Sequence, residues 1–303
     1  MWPLIVELHL DRDLTRTNSV PHPPSCSGPS IDIMTFKKDL ISPSLPKLDL
    51  GRNKVRSLLK KSGDRNSCAF TQAAACYIEF LSEYFYLLGF TTVDARLEEI
   101  RLTLIRCWQY TPYIRRVSDF ERFLQIQLER STHVPSFDLS ENIYHTINDL
   151  DHGQRFLLVA RNYQDWSYRA LHLATRIKKN EITHALTKLK CVLTGFDPEK
   201  LSDSEWELLL QVNDLIEGEL KTHEIRAIEK AIAKRPLILK FKADWLQFRC
   251  GLAEIKELML IGPERIDEFK KSLTEDLDSI PVKQPKLRDA LINQISFTRI
   301  PSV

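Results

Sequence analysis

Glycine is scarce in this chain, nine residues among 303. No glycine-rich phosphate loop can be drawn, and no nucleophile motif or paired His/Cys spacing for a metal is present. The neighbouring carboxylates Glu98/Glu99 and Glu217/Glu219 read as hydrated helix residues rather than acid–base pairs. We therefore expect no enzyme, no cofactor and no metal site. Apolar runs never approach the ~20 residues needed to cross a bilayer, so no membrane partner is expected. The six cysteines (Cys26, Cys68, Cys76, Cys107, Cys191, Cys250) form no C-x-x-C pair, which fits a reducing cytoplasm better than secretion. Cys107, Cys191 and Cys250 lie within helical patterns, where a thiol serves as a small buried hydrophobe. The opening MWPLIVELHLDRD has no basic leader, so a signal peptide is not expected.

What the chain has instead is helical periodicity. Beyond about residue 68 long amphipathic periods dominate, and the expected fold class is all-α. Residues 1–66 hold seven of the fifteen prolines and show no sustained period; they read as a flexible tail, within which Met34 is an alternative start. A helical domain is expected over 67–134, a linker over 135–149 and a second helical domain over 150–195. A C-terminal helical domain would follow over 196–278, then a tail over 279–303.

Net charge is only +2, but it is unevenly placed. Between Leu150 and Leu193 eight Lys/Arg stand against three Asp/Glu, a local basic patch of the kind a nucleic-acid contact uses. In the same stretch, Phe156, Leu157, Leu158 and Ala160 stripe a first helix. Ser167 is a natural N-cap for a second carrying Tyr168, Leu171 and Ala174. Ile177 falls in a turn, and Asn180 can cap a third helix with Ile182, Leu186 and Leu189 on one face. A helix, a tight turn and a cationic second helix match the geometry that enters the DNA major groove. In that reading Arg176, Lys178, Lys179, Lys188 and Lys190 supply phosphate contacts, Thr183, His184 and Thr187 reach base edges, and the cap residue Asn180 belongs to the same DNA-binding set. The same spacing also suits an ordinary helical hairpin.

The run SYRALHLATRIKKNEITHALTKLK, Ser167–Lys190, resembles the DNA-binding region 4 of extracytoplasmic-function (ECF) sigma factors, the promoter-recognition subunits of bacterial RNA polymerase. Ser167, Tyr168, Ile177, Leu186, Lys188 and Lys190 fall where that family has identical or like residues, with Leu171 for its Ile and Ile182 for its Val. Ala170 replaces an acidic residue, Glu181 a threonine, and Arg176 the glycine of the turn. That last exchange is compatible with the turn only if Arg176 avoids a positive φ.

An earlier block follows the same family. Within Cys68–His133, AFTQAAACYIEFLSEYFYLLG reads as one helix closed by Gly89. Asp94 opens a second helix with Leu97, Ile100, Leu104, Ile105 and Trp108 inward, and Ser118 caps a third. Thr103, Ile105, Arg106, Trp108, Ser118, Phe120, Phe123, Leu124 and Ile126 resemble region 2 of the sigma factors. There the resemblance implies docking on the polymerase through Glu98, Arg101 and Leu102, although Arg101 and Leu102 depart from the family's Gln and acidic residue. The basic, aromatic linker after Trp108 offers Tyr110, Tyr113, Arg115 and Arg116 for stacking and pairing with a melted single strand; core aromatics and solvated arginines are the simpler reading.

After Gly195, Ser202 caps a helix bearing Trp206, Leu209, Leu210, Val212, Leu215 and Ile216. A second runs from Thr222 to about Lys234, and a third from near Leu239 with Trp245, Phe248 and Leu252. The run from Leu201 to Pro236 resembles a zinc-binding anti-sigma domain, but Ala231, Arg235 and Ile238 stand at the ligand positions and cannot bind zinc. His223 alone makes no site.

The resemblance implies a cytoplasmic, DNA-binding transcription initiation factor that meets duplex promoter DNA and bacterial RNA polymerase core. Its fused, acidic-leaning C-terminal domain would cover the sigma-like regions or recruit a protein regulator. The alternative is a degenerate sigma-like scaffold that regulates through protein contacts and no longer binds polymerase. A plain helical adaptor is the third reading.

Overall fold

The computed structural model describes residues 51–131, 146–147 and 149–280. The expectations placed on the N-terminal tail up to residue 50, on Met34, on most of the 135–149 linker and on residues beyond 280 lie outside these. Every regular element among the described residues is helical, and the protein is all-α.

The first part of the chain forms α1 (Arg52–Gly63), α2 (Ser67–Ala75), α3 (Ile78–Leu87), α4 (Val93–Trp108) and α5 (Val117–Leu128). The aromatic-rich segment expected as one helix is two, broken at Cys76 and Tyr77. The break lets α3 turn inward, where each of its residues except Glu79 is buried. A helix apolar on all sides belongs at a centre. It closes at Gly89, at φ 107°, with the Phe90 N–H returning to the Phe85 carbonyl at 3.0 Å. Helix α5 starts one residue before Ser118, and its first turn is held by the Asp119 carboxylate, which accepts from the Arg116 N–H at 2.9 Å.

Helices α6 (His152–Leu158), α7 (Tyr168–Thr175) and α8 (Lys179–Thr194) follow, α6 running on into a π-helical turn over Val159–Tyr163. Asp151 and Gln154 close a reciprocal cap on α6, each side chain accepting from the other's backbone N–H, at 2.7 and 3.0 Å. Ser167 caps α7 as its sequence position implies. The cap of α8 is Lys178 rather than Asn180: the Glu181 carboxylate reaches back to the Lys178 N–H at 3.1 Å. Arg176 adopts φ 67°, against the expectation that it would avoid the left-handed region. The turn thus uses a left-handed residue that is not glycine.

The C-terminal third comprises α9 (Asp203–Ile216), α10 (Thr222–Ile232), α11 (Pro236–Met259) and α12 (Pro263–Ser279). Ser202 caps α9 as expected, in a box with Glu205. Proline occupies the first turn of both α11 and α12, where its missing N–H costs nothing.

The expected boundaries between helical domains are not breaks in packing. One hydrophobic core takes in Phe70 and Leu81, Phe120 and Leu124, Leu171 and Leu186, and from the C-terminal third Trp245, Leu252, Phe269 and Leu273. Helix α5 lies on α7, so the helical blocks expected over 67–134 and 150–195 share an interface. Helix α12 lies on α2 and α4, and α11 on α3 and α8. A second, smaller cluster joins Cys191 to Leu209, Val212, Ile228, Ile232, Ile238 and Phe241. Helix α8 therefore has one face in each cluster, and the residues from Gly51 to Ile280 belong to one compact unit. Among the described residues no helix is long and apolar enough to cross a membrane.

Candidate nucleic-acid interface and the helices that cover it

The residues proposed to meet DNA divide into two groups. At the turn between α7 and α8, Arg176, Lys178, Lys179 and Asn180 are exposed, as is Lys188 further along α8. With Arg169 and His172, the two turn lysines line a cleft bounded by Ser167, Tyr168 and Glu219. Burial lowers the pKa of Arg122 of α5, and the positive charge of nearby Arg176 adds to it. This end of the protein is cationic.

The reading face of α8 is another matter. Thr183 is buried, its hydroxyl within reach of the Lys179 carbonyl (3.3 Å) and Asp214 Oδ1 (3.4 Å). Thr187 is fully buried and donates to the Thr183 carbonyl at 2.8 Å. His184 is half-buried beside the Trp206 ring. Lys190 is 1 % exposed, its ammonium donating to Asn213 Oδ1 and Glu217 Oε1 and lying over the Trp245 ring. Thr183, Thr187 and Lys190 thus cannot reach a groove in this arrangement, because α9 and α11 occupy the volume a duplex would need. This corrects the expectation that the whole face stands free.

The cover is held by a polar network that sequence reasoning did not identify. Arg161, in the π turn, pairs with Glu217 and lies 3.5 Å from Glu219; it also donates to the backbone carbonyls of Trp166 (2.8 Å) and Glu217 (2.7 Å). Asn213 donates to the Tyr168 hydroxyl at 2.9 Å, and that hydroxyl donates to Asp214 at 3.3 Å. Lys179 reaches Glu219 at 3.7 Å and lies over the Tyr168 ring. Burial alone would raise the Glu217 carboxyl, but Lys190 and Arg161 outweigh it and hold it at about 2. Glu217 is therefore a buried anion, not the hydrated residue its sequence neighbourhood implies. A signal was present in the sequence: the anionic run DLIEGEL lies about forty residues after the basic turn, with opposite charge.

The remaining candidates lie elsewhere. Tyr110 is buried and stacks on Phe123, with centroids 5.1 Å apart, so it belongs to the core and not to a single-strand surface. Tyr113 is half-buried; Arg115 and Arg116 are exposed. On α4, Glu98 is exposed and Leu102 half-buried, while Arg101 bridges Glu98 at 2.8 Å and Asp276 of α12 at 3.0 Å. The expected polymerase-docking surface thus carries part of the C-terminal helix. The link is reinforced where Arg96 donates to the Thr91 carbonyl (2.7 Å) and the Leu258 carbonyl (3.4 Å), and where Ser82 donates to the Met259 carbonyl (2.6 Å).

Glu83 of α3 is 1 % exposed, accepts from Gln164 at 2.7 Å and lies 3.8 Å from the Lys256 ammonium. Burial pushes its carboxyl up to about 8 despite these two neighbours. Ile238 is buried in the second cluster and Arg235 meets Glu205 at 3.4 Å. No group of three His, Cys, Asp or Glu is placed to hold a metal ion among the described residues. Cys107 and Cys191 are buried as expected, whereas Cys250 is exposed.

No protein-family profile, curated protein or solved structure matches this chain.

Proposed function

We propose that the protein is a regulator that works through protein contacts on a divergent sigma-like helical scaffold, without a helix free to read bases. The observation that carries this reading is the burial of Lys190. The cation that would position α8 on DNA is consumed by Glu217 and Asn213 of the same chain. Support also comes from Arg101, which stands where the resemblance implies polymerase docking and is engaged by Asp276 of α12. A pull-down of bacterial polymerase core with the full chain tests it. No recovery of polymerase is expected, and recovery of the clamp-bearing subunit overturns the reading.

A second reading is favoured by the exposed cations at the α7–α8 turn. In it the protein is a DNA-binding transcription factor, and Arg169, Arg176, Lys178 and Lys179 hold duplex phosphates. Each lost phosphate contact lowers the salt dependence of binding by about one unit of slope. Lys178→Ala with Lys179→Ala would then weaken binding to any duplex and flatten that dependence. Absence of duplex binding by the unmodified chain at low salt removes this reading.

A further inference from the structure

The outer face of α11 carries an apolar seam that nothing among the described residues covers. Leu239, Ala243, Leu246, Cys250 and Ala253 recur at spacings of four and three, and all are exposed. Leu239 and Leu246 are 50 % and 43 % exposed. The opposite face of the helix, with Phe241, Trp245, Leu252 and Ile255, is spent on the core. The a/d repeat of a coiled coil has the spacing of this seam, and it runs over roughly 20 Å at 1.5 Å per residue.

The charges beside the seam choose the occupant. Lys240, Gln247 and Glu254 are exposed and seven residues apart on one flank, a cation, a neutral residue and an anion in order. In an antiparallel helix pair, like flanks of the two helices face each other. A second copy of α11 would therefore set Lys240 against Glu254 of the first at both ends, with the two Gln247 side chains meeting at the two-fold axis. The other flank (Lys242, Arg249, Lys256) is half-buried, and Lys256 is already engaged by the Tyr163 carbonyl at 3.2 Å and by Glu83. A parallel copy would instead put Lys240 against that cationic flank.

We propose that α11 is a homodimerisation surface, two copies packing antiparallel about Gln247 with Leu246 and Cys250 at the centre of the seam. Such an interface is isologous, each half of the patch complementing the other. The pairing does not depend on what the α7–α8 turn binds.

Sedimentation equilibrium of the full chain across a broad concentration range is the test, with circular dichroism confirming that each variant is folded. A reversible monomer–dimer equilibrium is expected. Leu246→Glu weakens it by roughly a hundredfold, since a charge enters the apolar seam twice. Lys240→Glu weakens it by about tenfold, and Lys240→Glu with Glu254→Lys restores it, because the swapped charges again face their opposites. A chain that stays monomeric throughout, whether because the face is empty or because another segment of the chain covers it, overturns the proposal. So does a dimer indifferent to Leu246→Glu, or a double swap that fails to restore what the single change removes. Spontaneous Cys250–Cys250 cross-linking of the dimer would overturn the antiparallel arrangement, which keeps the two sulfurs roughly 9 Å apart along the axis.

Discussion

Lys190 of α8 and Glu217 after α9 form an ion pair in which the two side chains are 1 % and 9 % exposed. Removing one partner of such a pair leaves an uncompensated charge in a poorly solvated place. Lys190→Met should cost about 3 kcal/mol, moderated by Arg161, which remains on Glu217. Lys190→Met with Glu217→Leu should recover most of that loss. Urea unfolding of the three proteins checks both statements, and a double variant no better than the single one would show that the charge is not the cause.

Acid acts on the same site. The Glu217 carboxyl is held at about 2 in the folded protein, below its ordinary 4.5. The folded state therefore binds fewer protons than the unfolded one between these values. Stability from this group is fully present above about 4.5 and is lost as pH falls towards 2. In Glu217→Gln that segment of the pH–stability curve should be flatter.

Glu83 gives the opposite slope. Its folded pKa of about 8 lies above the ordinary 4.5, so the folded state holds a proton the unfolded state has already released. Stability should fall as pH rises from about 4.5 to 8, by on the order of 5 kcal/mol at most. Glu129, raised to about 7, adds to the same trend. Glu83→Gln supplies a neutral isostere and should flatten most of the decline. Thermal melts at several pH values measure it, and an unaltered pH profile in Glu83→Gln would reject the assignment.

Arg176 holds a left-handed backbone conformation without being glycine. Such a conformation costs an L-residue about 1–2 kcal/mol, part of which glycine returns through greater freedom of its unfolded chain. Arg176→Gly should therefore stabilise the protein by about 0.5–1 kcal/mol, seen as a higher urea midpoint. Lower stability in Arg176→Gly would mean that its side chain, not its backbone, governs the turn.

The continuity of the core predicts the fate of a truncation. Removing residues from Phe196 onward strips Trp245, Leu252, Phe269 and Leu273 from the main cluster. It also exposes Thr187 and Lys190. The remainder should be poorly dispersed in its NMR spectrum and prone to association, since it keeps helices without their packing partners. Two independently folded sigma-like domains would instead yield a well-dispersed spectrum.

Local signals in the sequence hold for three caps and fail for two, since α8 is capped at Lys178 rather than Asn180 and α5 begins before Ser118. Ser167 and Ser202 cap the helices they were expected to cap, and Gly89 closes α3, because a cap is decided within four residues of the chain. The inward positions Ile182, Leu186 and Leu189 follow from helical period alone. What escaped was the second buried face of α8. Thr183, Thr187 and Lys190 are polar, so periodicity assigns them to solvent. They are inside because Asn213, Asp214 and Glu217, more than twenty residues later, supply hydrogen-bond partners. Burial of polar groups is set by contacts distant in sequence, and a pattern of hydrophobicity is blind to it. The contact of α5 with α7 is likewise invisible to periodicity, because Phe120 and Leu124 on one side and Leu171 and Ala174 on the other each have the spacing of a separate core.

Because α8 is clasped between two clusters, its inner amides can exchange with solvent only when much of the molecule lets go. Any ligand needing that inner face meets a binding-competent state populated only to the extent that such opening occurs. Its apparent affinity falls by the same factor. The rarity of that opened form thus sets a threshold concentration that a weak ligand does not overcome.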